Sequence, residues 1–331
     1  MPIFYTEEQP MMNYENFKKR VMREFLDYLP ERYAECELEI RKVPKMNECL
    51  TGVVIKPKNA KHTYCSPTFY MERMYEQYKD CGSFEKVMAN QAIYLEQSLK
   101  FVPNDIAKVT ISEMRDRIVF QLVNTEKNKE MIKLCPHRDI MDLSIVYRVI
   151  VNIDNDGVSG YLITHDLAEV EDLNENLLYN LAKKNTKKLF PLKCERIENT
   201  MFRMMQRCGG TDEKTLEDAF PEFDNIPEKQ KVYIISNKYE FFGANAILYG
   251  DYIGEIANRI GTDCYILPSS VHDLVLLSVE AFGESSKLLE LVKETNEEHV
   301  KPSERLSDSV YIYNLIDGTI NRISEPVEEA S

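Results

Sequence analysis

The stretch KVYIISNKYEFFGANAILYGDYIGEIANRIGTDCYILPSSVHDLVLLSV, residues Lys231–Val279, decides the fold class of this chain. Its apolar runs are short and are separated by turn-forming residues, which predicts strands at both ends. Val232–Ile235 is a β-branched and aromatic run of the kind that a half-buried sheet surface favours. Ala244–Leu248 is a second short apolar run, and we predict that it forms the next strand.

The middle of the stretch predicts one helix. Asp251 is a good N-cap residue, and Gly261 stands where a helix commonly ends in the left-handed conformation. Between them, apolar residues recur at spacings of three, one and three, which places them on one helical face. These residues are Ile253, Ile256, Ala257 and Ile260.

The end of the stretch predicts two more strands, Cys264–Leu267 and Leu274–Val279, separated by Pro268 and two serines. Leu274–Val279 is apolar on both alternating sets of side chains, which is typical of a strand covered on both faces. We therefore predict a sheet with this strand near its centre and the helix packed on one face.

Outward from this stretch, the chain predicts an α+β fold with mixed or antiparallel sheets, helices packed on their faces and two lobes. Residues 1–210 are predicted to form helices, a β-hairpin, a β-meander and a final helix at Leu192–Arg207. Residues 231–323 are predicted to form a ββαββα-hairpin region. The acidic segment 211–230, with two prolines, predicts a linker, and residues 324–331 predict a disordered tail.

The composition is that of a soluble globular chain of 331 residues, and its formal charge is −14. A chain this acidic repels phosphate groups unless it carries a local basic patch. The densest basic cluster fits a solvated helix face and consists of Lys183, Lys184, Lys187 and Lys188. We therefore expect no nucleic-acid partner and no anionic membrane surface as a partner.

The eight cysteines contain no CxxC pair, which excludes zinc-ribbon and thioredoxin-like signatures. The chain shows no basic segment followed by an apolar one at its start and no apolar run long enough to span a bilayer. We therefore predict a cytoplasmic protein whose thiols are reduced.

No complete cofactor motif is found, because GxGxxG, GxxxxGK[ST] and HExxH are all absent. Asn152–Gly157 matches the first half of a calcium-binding EF-hand loop, but Ile163 stands where the loop requires a bidentate Glu. A polar hairpin turn is the favoured interpretation of this segment. We predict no cofactor and no metal.

The hexapeptide PSSVHD, residues 268–273, places hydroxyls, an imidazole and a carboxylate close together in the chain. A serine hydrolase needs its Ser and His in contact beside an oxyanion hole, and no GxSxG elbow exists here. Ser270 and His272 are two residues apart on an extended segment. We therefore favour a turn in which Ser269 and Ser270 bond the backbone, with His272 held by a backbone carbonyl.

The segment PHRD, residues 136–139, is a weaker candidate for chemistry. With Asp142 it offers potential metal ligands, but a usable site needs three or four ligands in one geometry. No second histidine lies at helical spacing from His137, so a solvated turn before a strand is favoured. His137 stays a candidate for a hydrolase site, together with Ser270 and His272.

Five phrases of the chain resemble a bacterial domain-of-unknown-function family that is best represented in anaerobic gut bacteria. They are LVNTEKNKEMIKLCPHRDIMDLSIVYRVIV, NLLYNLAKKNTKKLFP, FGANAILYGDYIGEIANRIG, YILPSSVHDLVLL and ERLSDSVYIYNLIDGTI. The resemblance covers roughly Asn13 to Ile323. It implies an α+β, cytoplasmic, bacterial protein. It brings no activity and therefore no catalytic residues.

Two hypotheses about function follow. The favoured one is a non-enzymatic interaction or regulatory protein with a protein partner that the sequence does not identify, because strong architectural signals stand beside an incomplete catalytic set. The alternative is a small-molecule hydrolase with a site assembled from His137, Ser269, Ser270 and His272. A concave pocket in which two of these side chains meet would favour the hydrolase.

The charge generates the first prediction. The pure protein should pass through a duplex-DNA column at physiological salt, because its surface repels phosphates. Retention that falls steeply with added salt would contradict this expectation. A basic DNA-binding protein of similar mass on the same column is the control.

Overall fold

A computed structural model describes residues 11–58, 68–101, 111–154, 157–207, 215–268 and 270–323. The predicted α+β class is confirmed, since the sheets are antiparallel and helices accompany them. The chain divides into two compact units, Met1–Val109 and Thr110–Ser331. The predicted linker, 211–230, lies inside the second unit, so the predicted boundary does not coincide with this division. The predicted tail, 324–331, lies outside the described residues.

In its described residues, the first unit combines a three-stranded antiparallel sheet, in the order β1-β2-β3, with three α-helices. Asn13 caps the first helix by accepting a hydrogen bond from the backbone of Asn16, and Gly82 ends the second at a φ of 67°. The elements are α1 (Tyr14–Glu24), β1 (Cys36–Lys45), β2 (Glu48–Pro57), β3 (Thr68–Tyr70), α2 (Met71–Cys81) and α3 (Phe84–Phe101).

The core of the first unit is rich in aromatic side chains. Phe17 is fully buried and lies between the rings of Tyr75, Tyr78 and Phe84, each about 5 to 6 Å away. Phe25 packs edge-on against Phe69 of β3, so α1 and its extension are bound to the sheet through aromatic contacts.

The second unit begins with a four-stranded antiparallel sheet built around one long strand. This strand, β6, pairs with β4 along one side and with both β5 and β7 along the other. The elements up to the next sheet are β4 (Ile118–Asn124), α4 (Lys129–Ile132), β5 (His137–Ile140), β6 (Leu143–Asp154), β7 (Gly157–Leu162), α5 (His165–Val170) and α6 (Glu175–Leu189).

A six-stranded antiparallel sheet follows, in the order β13-β12-β10-β11-β9-β8. The strand predicted to be central, β11, pairs with a neighbour on each side, which confirms the prediction. The elements are β8 (Leu192–Arg196), α7 (Ile197–Arg207), α8 (Leu216–Ala219), β9 (Tyr233–Asn237), α9 (Gly250–Ile260), β10 (Cys264–Leu267), β11 (Leu274–Ser278), α10 (Val279–Phe282), α11 (Ser285–Glu298), β12 (Val310–Tyr313) and β13 (Ile320–Ile323). None of the helices in the described part of the chain combines the length and the apolar character that crossing a bilayer requires.

The prediction of a strand at Ala244–Leu248 is wrong, because Gly243–Leu248 forms a 3₁₀ helix. Every residue from Gly243 to Ile247 is buried, so the run has no polar alternation to distinguish a strand from a tight helix. A Cβ on Gly243 would lie 2.2 Å from the carbonyl oxygen of His272, so only glycine lets the backbone pass this close to the start of β11.

The prediction of a single helix at Leu192–Arg207 is wrong in its first third. Residues 192–196 form the edge strand β8, in register with β9, and the helix α7 starts only at Ile197. Three of the five strand residues are charged, a composition that blunts the free edge of a sheet.

A partly buried carboxylate joins the two sheets of the second unit. Asp142, in the turn between β5 and β6, accepts hydrogen bonds from the hydroxyls of Tyr311 (2.6 Å), Ser307 (2.6 Å) and Ser309 (3.1 Å). These three partners are almost fully buried on or just before β12. Hydrogen bonds to a charged acceptor are among the strong ones, so the turn of one sheet is firmly attached to a strand of the other.

Replacing this carboxylate should destabilise the second unit. We expect Asp142→Ala to lower the free energy of unfolding by about 3 kcal/mol, because three buried hydroxyls lose their acceptor. Asp142→Asn should cost about 1 kcal/mol, since the amide oxygen still serves Tyr311 and serine hydroxyls can rotate to accept. Chemical denaturation of both variants measures the difference, with the exposed Asp251→Asn as control. Equal costs for the two variants would contradict the assigned hydrogen bonds.

Candidate functional site

The candidate site is a pocket between α7 and the six-stranded sheet, at the point where β9 ends and β11 begins. Its volume is about 240 Å³, somewhat below the roughly 300–1,000 Å³ of typical ligand pockets, so only a small ligand fits. The pocket is lined by Glu195, Thr200, Arg203, Met204, Arg207, Ile234, Ser236, Glu240, His272 and Asp273. The strand β8 faces it because Glu195 and Ile234 are direct partners in the β8–β9 register.

The Ser270–Asp273 turn places two side chains in this pocket. β10 ends at Leu267 and β11 starts at Leu274, so the chain reverses over six residues. The hydroxyl of Ser270 accepts from the backbone N–H of His272 at 3.0 Å and donates to the Asp273 carboxylate at 3.2 Å. Within this turn, the Ser270 hydroxyl therefore acts as both hydrogen-bond acceptor and donor.

His272 is held by its backbone and by packing. Its carbonyl oxygen accepts a hydrogen bond from the Ser236 hydroxyl at 2.6 Å, and its ring lies edge-on to Phe241 at 5.5 Å. The ring nitrogen Nδ1 is buried and has no hydrogen-bond partner among the described residues. The prediction that a backbone carbonyl holds the His272 ring is therefore not supported at Nδ1.

Asp273 lies in an environment that disfavours its charge. Burial of the carboxyl raises its pKa above the usual value of 3.8, and the negative charge of Glu240 raises it further. The Ser270 hydrogen bond and the charge of His272 act in the opposite direction and do not cancel the effect. No Lys or Arg in the described part of the chain forms an ion pair with Asp273.

The other wall of the pocket carries an ion pair that is already complete. Arg203 binds both carboxylate oxygens of Glu195, with Nη1 to Oε2 at 2.7 Å and Nη2 to Oε1. Lys193 (2.8 Å) and Thr200 (2.9 Å) bind the same carboxylate. The Arg203 hydrogen bonds are the main reason that the pKa of Glu195 falls to about 2.

A second, looser pair lies at the solvent side of the pocket. Arg207 and Glu240 approach to 3.7 Å, and each side chain is more than half exposed. Glu240 adopts a φ of 57° and Phe242 a φ of 55°, which non-glycine residues rarely do. Asn237, almost fully buried, accepts from the backbone N–H of Tyr239 at 2.9 Å and thereby supports this loop.

His137 lies elsewhere, in a cavity of about 440 Å³ that is also lined by His165, Glu169 and Glu175. Its Nδ1 lies 3.0 Å from the Cys135 carbonyl oxygen, which makes Nδ1 the protonated nitrogen.

The other polar residues of that predicted segment are occupied. Arg138 pairs with Glu175 at 2.7 Å, Asp139 accepts from Ser144 at 2.6 Å, and Asp142 belongs to the contact between the sheets. No group of three potential metal-binding side chains occurs within the described ranges.

The structure thus places His272 on the wall of one pocket and His137 in another cavity. Ser270 does not line the pocket and contacts it only through its hydrogen bonds to Asp273 and to the backbone of His272, and Ser269 lies outside the described residues. Sequence reasoning missed Glu195, Arg203, Ser236 and Glu240. No local pattern could reveal the first two, because they reach the pocket only through the β8–β9 pairing and the position of α7.

Comparison with known proteins adds a family. The family model described as "Family of unknown function (DUF5688)" matches residues 14–315, a range that spans both cavities and the contact between the sheets. No curated protein and no solved structure matches this chain.

The raised pKa of Asp273 generates a prediction about stability. The folded protein binds this proton more tightly than the unfolded chain, so the free energy of unfolding should fall as pH rises above about 4. Asp273→Asn removes that dependence, so the variant should match the wild type near pH 3 and exceed it by about 1 kcal/mol near pH 7.

Denaturation of both proteins between pH 3 and 7 measures this difference. The exposed Asp251→Asn variant is the matched control and should follow the wild type at every pH. Parallel curves for the wild type and Asp273→Asn would show that the carboxyl of Asp273 is solvated like an ordinary one.

Proposed function

Given that the chain belongs to DUF5688, a family of unknown function, we propose from the geometry of the site that it is a non-catalytic interaction or regulatory protein. Its interaction site is the pocket beside His272, and its ligand is a small molecule held between α7 and the sheet. We further propose that it works in the bacterial cytoplasm.

The arrangement of the hydroxyls around His272 carries this proposal. A catalytic histidine must lie within about 2.6 to 3.2 Å of the hydroxyl that it deprotonates. Here the Ser270 hydroxyl bonds Asp273 and a backbone N–H, and the Ser236 hydroxyl donates to the carbonyl oxygen of His272. Among the described residues, neither of these two hydroxyls is hydrogen-bonded to the imidazole, so neither is placed to be activated as a nucleophile.

The pocket nevertheless has the properties of a binding site. It is concave, and its lining combines the apolar side chains of Met204 and Ile234 with several charged groups. Methionine adapts its shape to a bound partner, and α7 exposes Met201, Met204 and Met205. The free edge of the six-stranded sheet at β8 is a poorer candidate for partner binding. Three of its five residues are charged, which disfavours the addition of a partner strand.

The proposed compartment has separate support. The described residues include six cysteines, and all six are free thiols. Burial raises the pKa of Cys135 to about 11 and that of Cys264 to about 12, so both are kept as unreactive thiols. Free thiols in this number suit a reducing compartment. The assignment to bacteria follows from the family resemblance of the sequence.

A thermal-shift screen of small molecules, paired with an ester, amide and phosphoester turnover panel, tests this function. We expect at least one compound to raise the melting temperature of the wild type and to lose this effect in His272→Ala, without turnover of any substrate. The matched control is His165→Ala, which changes an exposed histidine in the other cavity.

Two results would contradict the proposal. Ligands that stabilise the wild type and His272→Ala equally would place the binding site elsewhere. Turnover that disappears in a folded Ser270→Ala variant would establish the hydrolase instead.

A further inference from the structure

Within the part of the chain that the structure describes, the Arg, Glu and Asp side chains that line the His272 pocket form ion pairs, with the exception of Asp273. Arg203 is bound to Glu195 through two hydrogen bonds, and Arg207 faces Glu240. Asp273 is the remaining charge, and it has only the Ser270 hydroxyl as a hydrogen-bond partner in the described residues. The lining therefore has room for one more positive charge.

From these contacts, and building on the proposed function, we infer that the ligand of this pocket is a primary ammonium group on a short aliphatic chain, bound through Asp273. The ammonium N–H groups donate to the carboxylate of Asp273, and the lone pairs of the Ser236 hydroxyl offer a further acceptor on the lining. The aliphatic chain contacts Met204 and Ile234, the two apolar side chains of the pocket.

The geometry favours this class over two others. An anionic ligand would need free guanidinium groups, but Arg203 already uses two nitrogens on Glu195 and Arg207 faces Glu240. The carboxylates of Asp273 and Glu240 also repel anions. A quaternary ammonium is recognised by the faces of aromatic rings, and the described lining contains no Phe or Tyr. A primary ammonium group has compact N–H donors, and these fit the Asp273 carboxylate, which has no ion-pair partner among the described residues.

Occupancy also removes an energetic cost of the empty site. A half-buried carboxylate without a counter-ion is poorly solvated, which is why burial raises the pKa of Asp273. A bound ammonium replaces the missing solvation with a charge-assisted hydrogen bond. The ligand therefore gains affinity from a group that the free protein leaves incompletely paired.

Calorimetric titration of the full chain with n-butylammonium, n-butanol and butyrate tests this inference, since the three probes share a chain and differ in charge. We expect roughly millimolar binding of n-butylammonium and no detectable binding of the other two. Asp273→Asn should weaken n-butylammonium binding by roughly tenfold or more, because the charged acceptor is lost. Asp251→Asn, an exposed carboxylate on α9, should bind like the wild type.

The outcomes separate this inference from the proposed function. Binding of butyrate that is lost in Arg207→Ala would keep the pocket as a binding site but overturn the amine as its ligand. Binding of n-butylammonium that is unchanged in Asp273→Asn, in a variant with a wild-type melting curve, would also overturn the inference. If the wider screen finds ligands that need His272 while all three probes fail, the function stands and the amine is excluded.

Discussion

The carboxylate of Asp142 is the contact on which the second unit depends. It lies in a tight turn of the four-stranded sheet and binds three hydroxyls that belong to β12 and the residues just before it. Two sheets that are far apart in the chain are thereby joined by short, charge-assisted hydrogen bonds.

A buried amide adds a second connection, since Asn245 donates to the carbonyl oxygen of Phe120 on β4 at 2.9 Å. That amide belongs to the 3₁₀ helix that passes behind His272, so the wall of the candidate pocket is attached to the other sheet. Apolar contacts reinforce this connection. Phe242, directly before the 3₁₀ helix, packs against Phe190, which lies in one cluster with Val119 and Ile150.

Asp142 and Asp273 show how one residue type serves two purposes. Asp142 has three hydroxyl donors, so its bonding capacity is used within the fold and it acts as a structural contact. Asp273 has one hydroxyl donor and no ion pair among the described residues, although its carboxyl is buried enough to raise its pKa. A polar ligand needs a group at a concave surface that can still form hydrogen bonds. Asp273 can still accept hydrogen bonds, whereas Asp142 is occupied by its three donors, so Asp273 is the candidate for ligand binding and Asp142 is a structural contact.

The hydroxyls near His272 also have their donor capacity used within the fold. Serine beside histidine in a sequence suggests a nucleophile and its base, but each hydroxyl has one proton and donates it to one acceptor at a time. The Ser270 proton goes to Asp273 and the Ser236 proton goes to a backbone carbonyl. These hydrogen bonds shape the pocket and place His272 on its wall, which is a positioning role.

The sequence by itself determined the local elements and the class of fold. Apolar runs, turn residues and caps at Asn13, Gly82 and Gly261 located most of the strands and helices, and the doubly apolar run at Leu274 placed β11 in the interior of its sheet. These signals are short-range, because they arise from each residue's own backbone preference and from the periodicity of its element. It also identified the turn that carries Ser270 and His272.

Only the tertiary structure decided where that turn lies and what faces it. Ala244–Leu248 is apolar throughout and forms a 3₁₀ helix because it is buried on all sides, which no alternation in the sequence records. β8 is a strand because β9 offers it a partner, and that pairing brings Glu195 to the pocket, where Arg203 of α7 meets it. Charge pairing between residues tens of positions apart is a property of packing, so only the folded chain shows that Asp273 has no ion-pair partner among the described residues.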